Sequence, residues 1–303
     1  MKNPGSFLPA LRKALAWALV SVALASVSTS HAATQVLEFT AGAANAPIGF
    51  PGSYIVLNSR YLNGKPGLKP ILTQSWTSVY NNHPVGLAYI TGTSPAAGRW
   101  TIFNEDLAAI STGAQFDLLI TTSVHVVNGT PLDSVGDFTA FGVAKGQPSA
   151  ILLFTHMLDP YPSLGSGIFV QNQGLNYPSS STAKNPLFNK WNIFNQVTTS
   201  PAAAAGYFVL DTASLPLSLH TVALIHTSSV ANMLGNVSQI DDSGALTAST
   251  NVVFISPVGS DDNKTVGVYY SAGKWNIFNE DQTQVSPGEK FNVLMFPQPI
   301  PIF

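Results

Sequence analysis

The chain has 303 residues, of which 9% are charged, 45% hydrophobic and 10% aromatic. With 13 Lys/Arg against 15 Asp/Glu and no basic cluster, it lacks the charge to follow a phosphate backbone. Its apolar content argues against a disordered chain, and the absence of cysteine excludes disulfides, thiolate metal sites and cysteine nucleophiles.

In chain order, Lys2, Arg12 and Lys13 precede an apolar run from Ala14 to Val27. Ser30-His31-Ala32 then places small residues where a signal peptidase reads. The run falls short of the roughly 20 residues that span a bilayer. Residues 1–32 are therefore expected to be a cleaved signal peptide, and the product secreted or periplasmic, with no membrane span left. Its removal would leave 10 basic residues against the 15 acidic ones.

The rest repeats. Trp100-Thr101-Ile102-Phe103-Asn104-Glu105-Asp106 returns as Trp275-Asn276-Ile277-Phe278-Asn279-Glu280-Asp281, and without the acids as Trp191-Asn192-Ile193-Phe194-Asn195-Gln196. Upstream, Gly52–Leu57 matches Gly136–Phe141 and Gly235–Ile240, and Ile71–Thr73 matches Ile151–Thr155 and Val252–Ile255. Val85–Tyr89 is matched to Gly167–Val170 and Val266–Tyr270. Downstream, Phe116–Leu119 is matched to Phe208–Leu210 and Phe291–Leu294. These short runs of branched and aromatic residues between Gly, Pro, Asn and Ser are strand chemistry. No 3.6-residue apolar period persists after the leader.

The fold expected is all-β, with three antiparallel units of about 90 residues at 33–120, 121–211 and 212–303. The units are sandwich-like, in tandem or around a pseudo-threefold axis, and Leu118 to Val127 reads as one strand passing between the first two. A transmembrane barrel is disfavoured, because these strands are shorter than the 9–11 residues that span a membrane.

The assembled residues resemble a bacterial secreted repeat family catalogued only as a domain of unknown function. The resemblance rests on the Trp-x-Ile-Phe-Asn-(Glu/Gln)-Asp motif, on His226-Thr227, Gly235-Asn236, Asn63-Gly64-Lys65-Pro66 and Tyr80-Asn81-Asn82-His83-Pro84, and on the closing Gly288 and Phe291-Asn292-Val293. It implies secretion and the repeat architecture and carries no activity.

Trp100, Trp191 and Trp275 are expected as core anchors, with Asn104, Asn195 and Asn279 structural beside them. Adjacent strand residues face opposite ways, so Glu105 and Asp106, or Glu280 and Asp281, converge only in a turn. They are read first as strand closure. Were the protein an enzyme, those four acids would be the candidates for a carboxylate-dependent glycan hydrolase. Asp241-Asp242 and Asp261-Asp262-Asn263 lack a calcium-loop pattern, so no cofactor is expected and calcium is the one ion considered. His125 and His226 are taken as matched strand positions with Phe39 as the third. Gly-x-Ser-x-Gly, His-Glu-x-x-His and phosphate-binding loops are absent, although a Ser/His/Asp triad could still assemble in space. Trp76, Tyr80, His83, Tyr161 and Tyr177 are the candidate binding residues, the aromatic rings being suited to stacking on sugars. The expected function is a non-enzymatic binding or structural module contacting a glycan or surface partner, and no nucleic acid.

Overall fold

The computed structural model describes residues 34–46, 52–128, 134–135, 138–158, 171–178, 187–196, 206–216, 219–259 and 262–297. The leader, Gly167–Val170, Tyr161 and Asp261 lie outside them. Within the first unit the strands are β1 (Gln35–Thr40), β2 (Tyr54–Leu57), β3 (Ile71–Ser75), β4 (Val85–Ile90), β5 (Arg99–Asn104) and β6 (Gln115–Ile120). The second has β7 (Val124–Asn128), β8 (Ser134–Val135), β9 (Phe138–Phe141), β10 (Leu152–Leu158), β11 (Gln173–Asn176), β12 (Trp191–Asn195) and β13 (Gly206–Asp211). The third has β14 (Val222–Thr227), β15 (Met233–Leu234), β16 (Val237–Gln239), β17 (Val252–Val258), β18 (Val266–Ser271), β19 (Lys274–Asn279) and β20 (Lys290–Phe296).

The chain is all-β, but the units are interlocked and do not stand side by side. Each divides its strands between two sheets. The first sheet runs β1-β6-β3-β18-β19-β16-β15, the second β2-β5-β4-β10-β13-β7, and the third β14-β20-β17-β11-β12-β9-β8. Pairing is antiparallel within a unit and parallel at the three junctions, β3 with β18, β10 with β4 and β11 with β17. The junctions join unit 1 to unit 3, unit 2 to unit 1, and unit 3 to unit 2. Three sheets thus close a ring with pseudo-threefold symmetry.

The junction pairings are short, which leaves backbone N–H groups of β3, β10 and β17 exposed to the interior. Hydroxyls satisfy them in rotation. Leu72 N–H donates to Thr155 Oγ1 (2.8 Å), Phe154 N–H to Ser256 Oγ (3.1 Å), and Ile255 N–H to Thr73 Oγ1 (3.2 Å). All three hydroxyl residues are buried. An orphaned buried amide would cost more than such a bond contributes.

The two leaves of each unit pack face to face around its tryptophan. Trp100 and Ile102 meet Ile55, Leu57, Phe116 and Leu118. Trp191 and Ile193 meet Leu152, Tyr207 and Val209, and Trp275 and Ile277 meet Val253, Phe291 and Val293. Each unit is therefore a small sandwich whose leaves belong to different sheets.

Pairing register corrects three matches read from sequence. Thr73, Thr155 and Ser256 face Asp117, Phe208 and Asn292, so Phe116 is equivalent to Tyr207, one residue before Phe208. Phe39 and His226 face Phe116 and Phe291, whereas Val127 faces Tyr207. His125 is thus two residues out of step with His226, at an exposed position. Gly174, paired to Phe194, fills the place given to Gly167. The strand expected from Leu118 to Val127 breaks at Thr121–Ser123, where the chain passes from the first sheet to the second.

Candidate functional site

The recurrent motif is mainly folding chemistry. The ring N–H groups of Trp100, Trp191 and Trp275 donate to the carbonyls of Lys65, Gln147 and Ala248 at 3.0, 2.9 and 3.1 Å. Each indole meets a tyrosine edge: Tyr89, Tyr177 and Tyr270, at 5.5, 5.4 and 5.8 Å between centroids. Tyr177 therefore occupies a packing position shared by all three units. Asn104 and Asn279 close the turns after their strands, Nδ2 donating to Ala108 and Ala109 carbonyls in one and to the Gln284 carbonyl in the other. Asn195, also buried, accepts from Gln173 Nε2. Asp106 and Asp281 accept from the amides of Ala108 and Thr283.

The acidic pairs split across the strand as alternation requires. Glu105 and Glu280 are buried, while Asp106 and Asp281 reach solvent or its edge. Each buried acid meets a neighbouring unit. Glu105 bonds His156 of unit 2, and Glu280 Oε2 accepts from Asn81 N–H of unit 1 at 2.9 Å. Burial pushes the Glu280 carboxyl up to about 7, the Asn81 amide offsetting part of that. Burial also acts to raise Asp281, but Lys264, 2.5 Å away, and Thr283 outweigh it and hold that carboxyl below its ordinary range. His83, the loop histidine, bonds Asp106 at 2.6 Å. Where the junctions splay, Glu105, His156, Gln74, Gln173, Thr265 and Lys264 line a cavity of about 110 Å³.

The candidate aromatics separate. Trp76 and Tyr80 lie together, 5.7 Å between centroids, and Trp76 also meets the face or edge of Tyr269 at 5.3 Å. With Asn236 and Phe278 they line a niche of about 60 Å³. Trp76 and Tyr269 also line a larger cleft of about 570 Å³, between the first sheet and the segment leading into β17. Its remaining walls include Glu38, Ser75, Asp117, Asn251, Tyr270 and Trp275.

The buried polar atoms here without a hydrogen-bond partner include Trp76 Nε1 and Asp117 Oδ1. Asp117 is 4% exposed. Its burial pushes the carboxyl up to about 7; the Ser75 hydroxyl beside it offsets part of the rise and Glu38 adds to it. Sequence reading assigns no site role to Glu38, Asp117 or Tyr269. The visible signal was an acid inside the apolar run Gln115-Phe116-Asp117-Leu118-Leu119.

A second cluster forms in unit 3. His226 Nδ1 lies 2.5 Å from Asp242 Oδ2 and its Nε2 2.8 Å from Ser238 Oγ, with Asp241 alongside. These groups are connected as in a Ser/His/Asp triad, but His226 and Ser238 are fully buried, so the hydroxyl offers no approach to a substrate.

Among the described residues no helix is long and apolar enough to cross a membrane. A family model described as a domain of unknown function (DUF7452) matches residues 20–120 and 174–295. Neither the curated proteins nor the solved structures contain a match.

Proposed function

The chain belongs to the DUF7452 family, and we propose that it is an exported glycan-binding protein whose binding surface is the Trp76 cleft. The observation that carries this reading is the convergence of Trp76, Tyr269 and Tyr270 with the unpartnered Trp76 Nε1 and Asp117 Oδ1 in one 570 Å³ cleft. Sugars present apolar C–H faces that stack on aromatic rings and hydroxyls that pair with carboxylates and amides. Buried polar atoms without partners are uncommon in folded proteins, and those facing a cleft suit a ligand rich in hydroxyls. Export is supported by the leader-like segment at residues 1–32.

Screening the chain from Ala33 against a glycan array, followed by titration calorimetry on the best hit, tests the reading. Trp76→Ala should weaken binding at least tenfold, and Phe188→Ala, remote from the cleft lining, should leave it unchanged. Circular dichroism on each variant separates lost binding from lost folding. An array without hits, or a hit indifferent to Trp76, removes the proposal.

A further inference from the structure

The cleft is asymmetric within a pseudo-symmetric fold. Asp117 faces Glu38 directly across the β1–β6 pair. At the two equivalent places, register sets Phe208 opposite Val126 and Asn292 opposite Ile225. The fold therefore accommodates uncharged pairs at this position. Like charges directly opposed across strands are destabilising, and placing one of them in the interior adds a desolvation cost. A pair that works against stability, in one unit of three, lining an aromatic cleft of about 570 Å³, marks a site retained for chemistry.

We infer that this cleft hydrolyses the glycan it binds, with Asp117 as proton donor and Glu38 as the base that activates water. The inference rests on the glycan-binding reading above. In the reaction, the Asp117 carboxyl passes its proton to the glycosidic oxygen. The bond from that oxygen to the anomeric carbon breaks, its electron pair staying on the leaving oxygen. Water adds to the anomeric carbon and gives a proton to the Glu38 carboxylate. Proton return from Glu38 to Asp117 through solvent restores the site. The sum is one glycoside and one water converted to a hemiacetal and an alcohol, with no cofactor or oxidant. Environment supports the division of labour: the buried acid, raised to about 7, is about half protonated at neutral pH, while Glu38 is open to solvent. The acids of the Trp motif stand elsewhere, engaged with turn amides, His156 and Asn81.

The test measures reducing-end release from the glycans that the chain from Ala33 binds, alongside their Kd. Asp117→Asn should lower turnover at least 100-fold while Kd stays within about threefold; Glu38→Gln should do the same. Both substitutions are isosteric and remove charge repulsion, so they should melt no lower than wild type. Wild-type turnover should fall as pH rises above about 7, the Asp117 value. Glycan binding that depends on Trp76 but yields no release overturns the hydrolytic inference and leaves the binding reading intact. Release that survives Asp117→Asn also overturns it. Absence of any glycan binding defeats both.

Discussion

Gly86 and Gly267 show what a single position can enforce. A methyl group on Gly86 would stand 2.3 Å from Glu105 Oε1 and 2.8 Å from Phe103, and one on Gly267 would stand 2.6 Å from Glu280 Oε1 and 2.7 Å from Phe278. The Phe and Glu of the motif lie over the glycine of the paired strand, so three motif letters are a single packing unit. Gly174 is looser, its nearest contact being Phe194 at 3.1 Å. Gly86→Ala and Gly267→Ala should each cost about 1–3 kcal/mol and Gly174→Ala less, as measured by urea unfolding. Equal, negligible effects at all three would contradict this packing. At this scale repetition makes the Trp, Asn and Asp of the motif visible in the sequence. It gives no role to His156, whose partner Glu105 lies in another unit, nor to Asp117, whose partner Glu38 is distant in sequence within its own unit.

Between strands, the rotation of hydroxyls around the ring does what a longer sheet pairing would otherwise do. Thr155→Val keeps shape and removes the acceptor of Leu72 N–H, leaving that amide buried without a partner. A loss of about 1–3 kcal/mol is expected, with faster hydrogen exchange at Leu72 than at Phe154 or Ile255, whose acceptors Ser256 and Thr73 are untouched. Unchanged exchange at Leu72 would show that the hydroxyl is not its acceptor. Strand positions were legible from Val, Ile, Phe and Tyr runs bounded by turn residues. Register was not: a one-residue slip, as between Tyr207 and Phe208, preserves an apolar pattern where both faces are buried. Gly167 introduces the apolar run Ile168-Phe169-Val170, whereas Gly174 stands before Leu175-Asn176-Tyr177, and only its pairing with Phe194 reveals it as the equivalent glycine.

For the molecule as a whole, stability should depend on pH through two interior acids. Asp117 and Glu280 both have folded-state values raised to about 7 from ordinary values of 3.8 and 4.5. The folded form then binds more protons than the unfolded form between those limits. Stability is accordingly greatest below the unfolded values and declines as pH rises towards 7. Melting temperature should fall across that window, and Asp117→Asn combined with Glu280→Gln should flatten the decline. A melting temperature that climbs through the same window would contradict it. Composition and repeats made the all-β class and the threefold count readable. The exchange of half-units between sheets was not readable, because it depends on the parallel junctions at Gln74/Gly267, Leu87/Met157 and Leu175/Val258, and nothing in a local pattern says which unit a strand edge will meet.

The junction of β3 with β18 sets Ser75 against Val268, joining the first unit to the third. No segment released early from a ribosome can finish its own architecture, since its open edge waits for a strand made almost last. Such long-range pairing favours slow folding, and it leaves the edge of β3 an unpaired strand template until the last unit has been made.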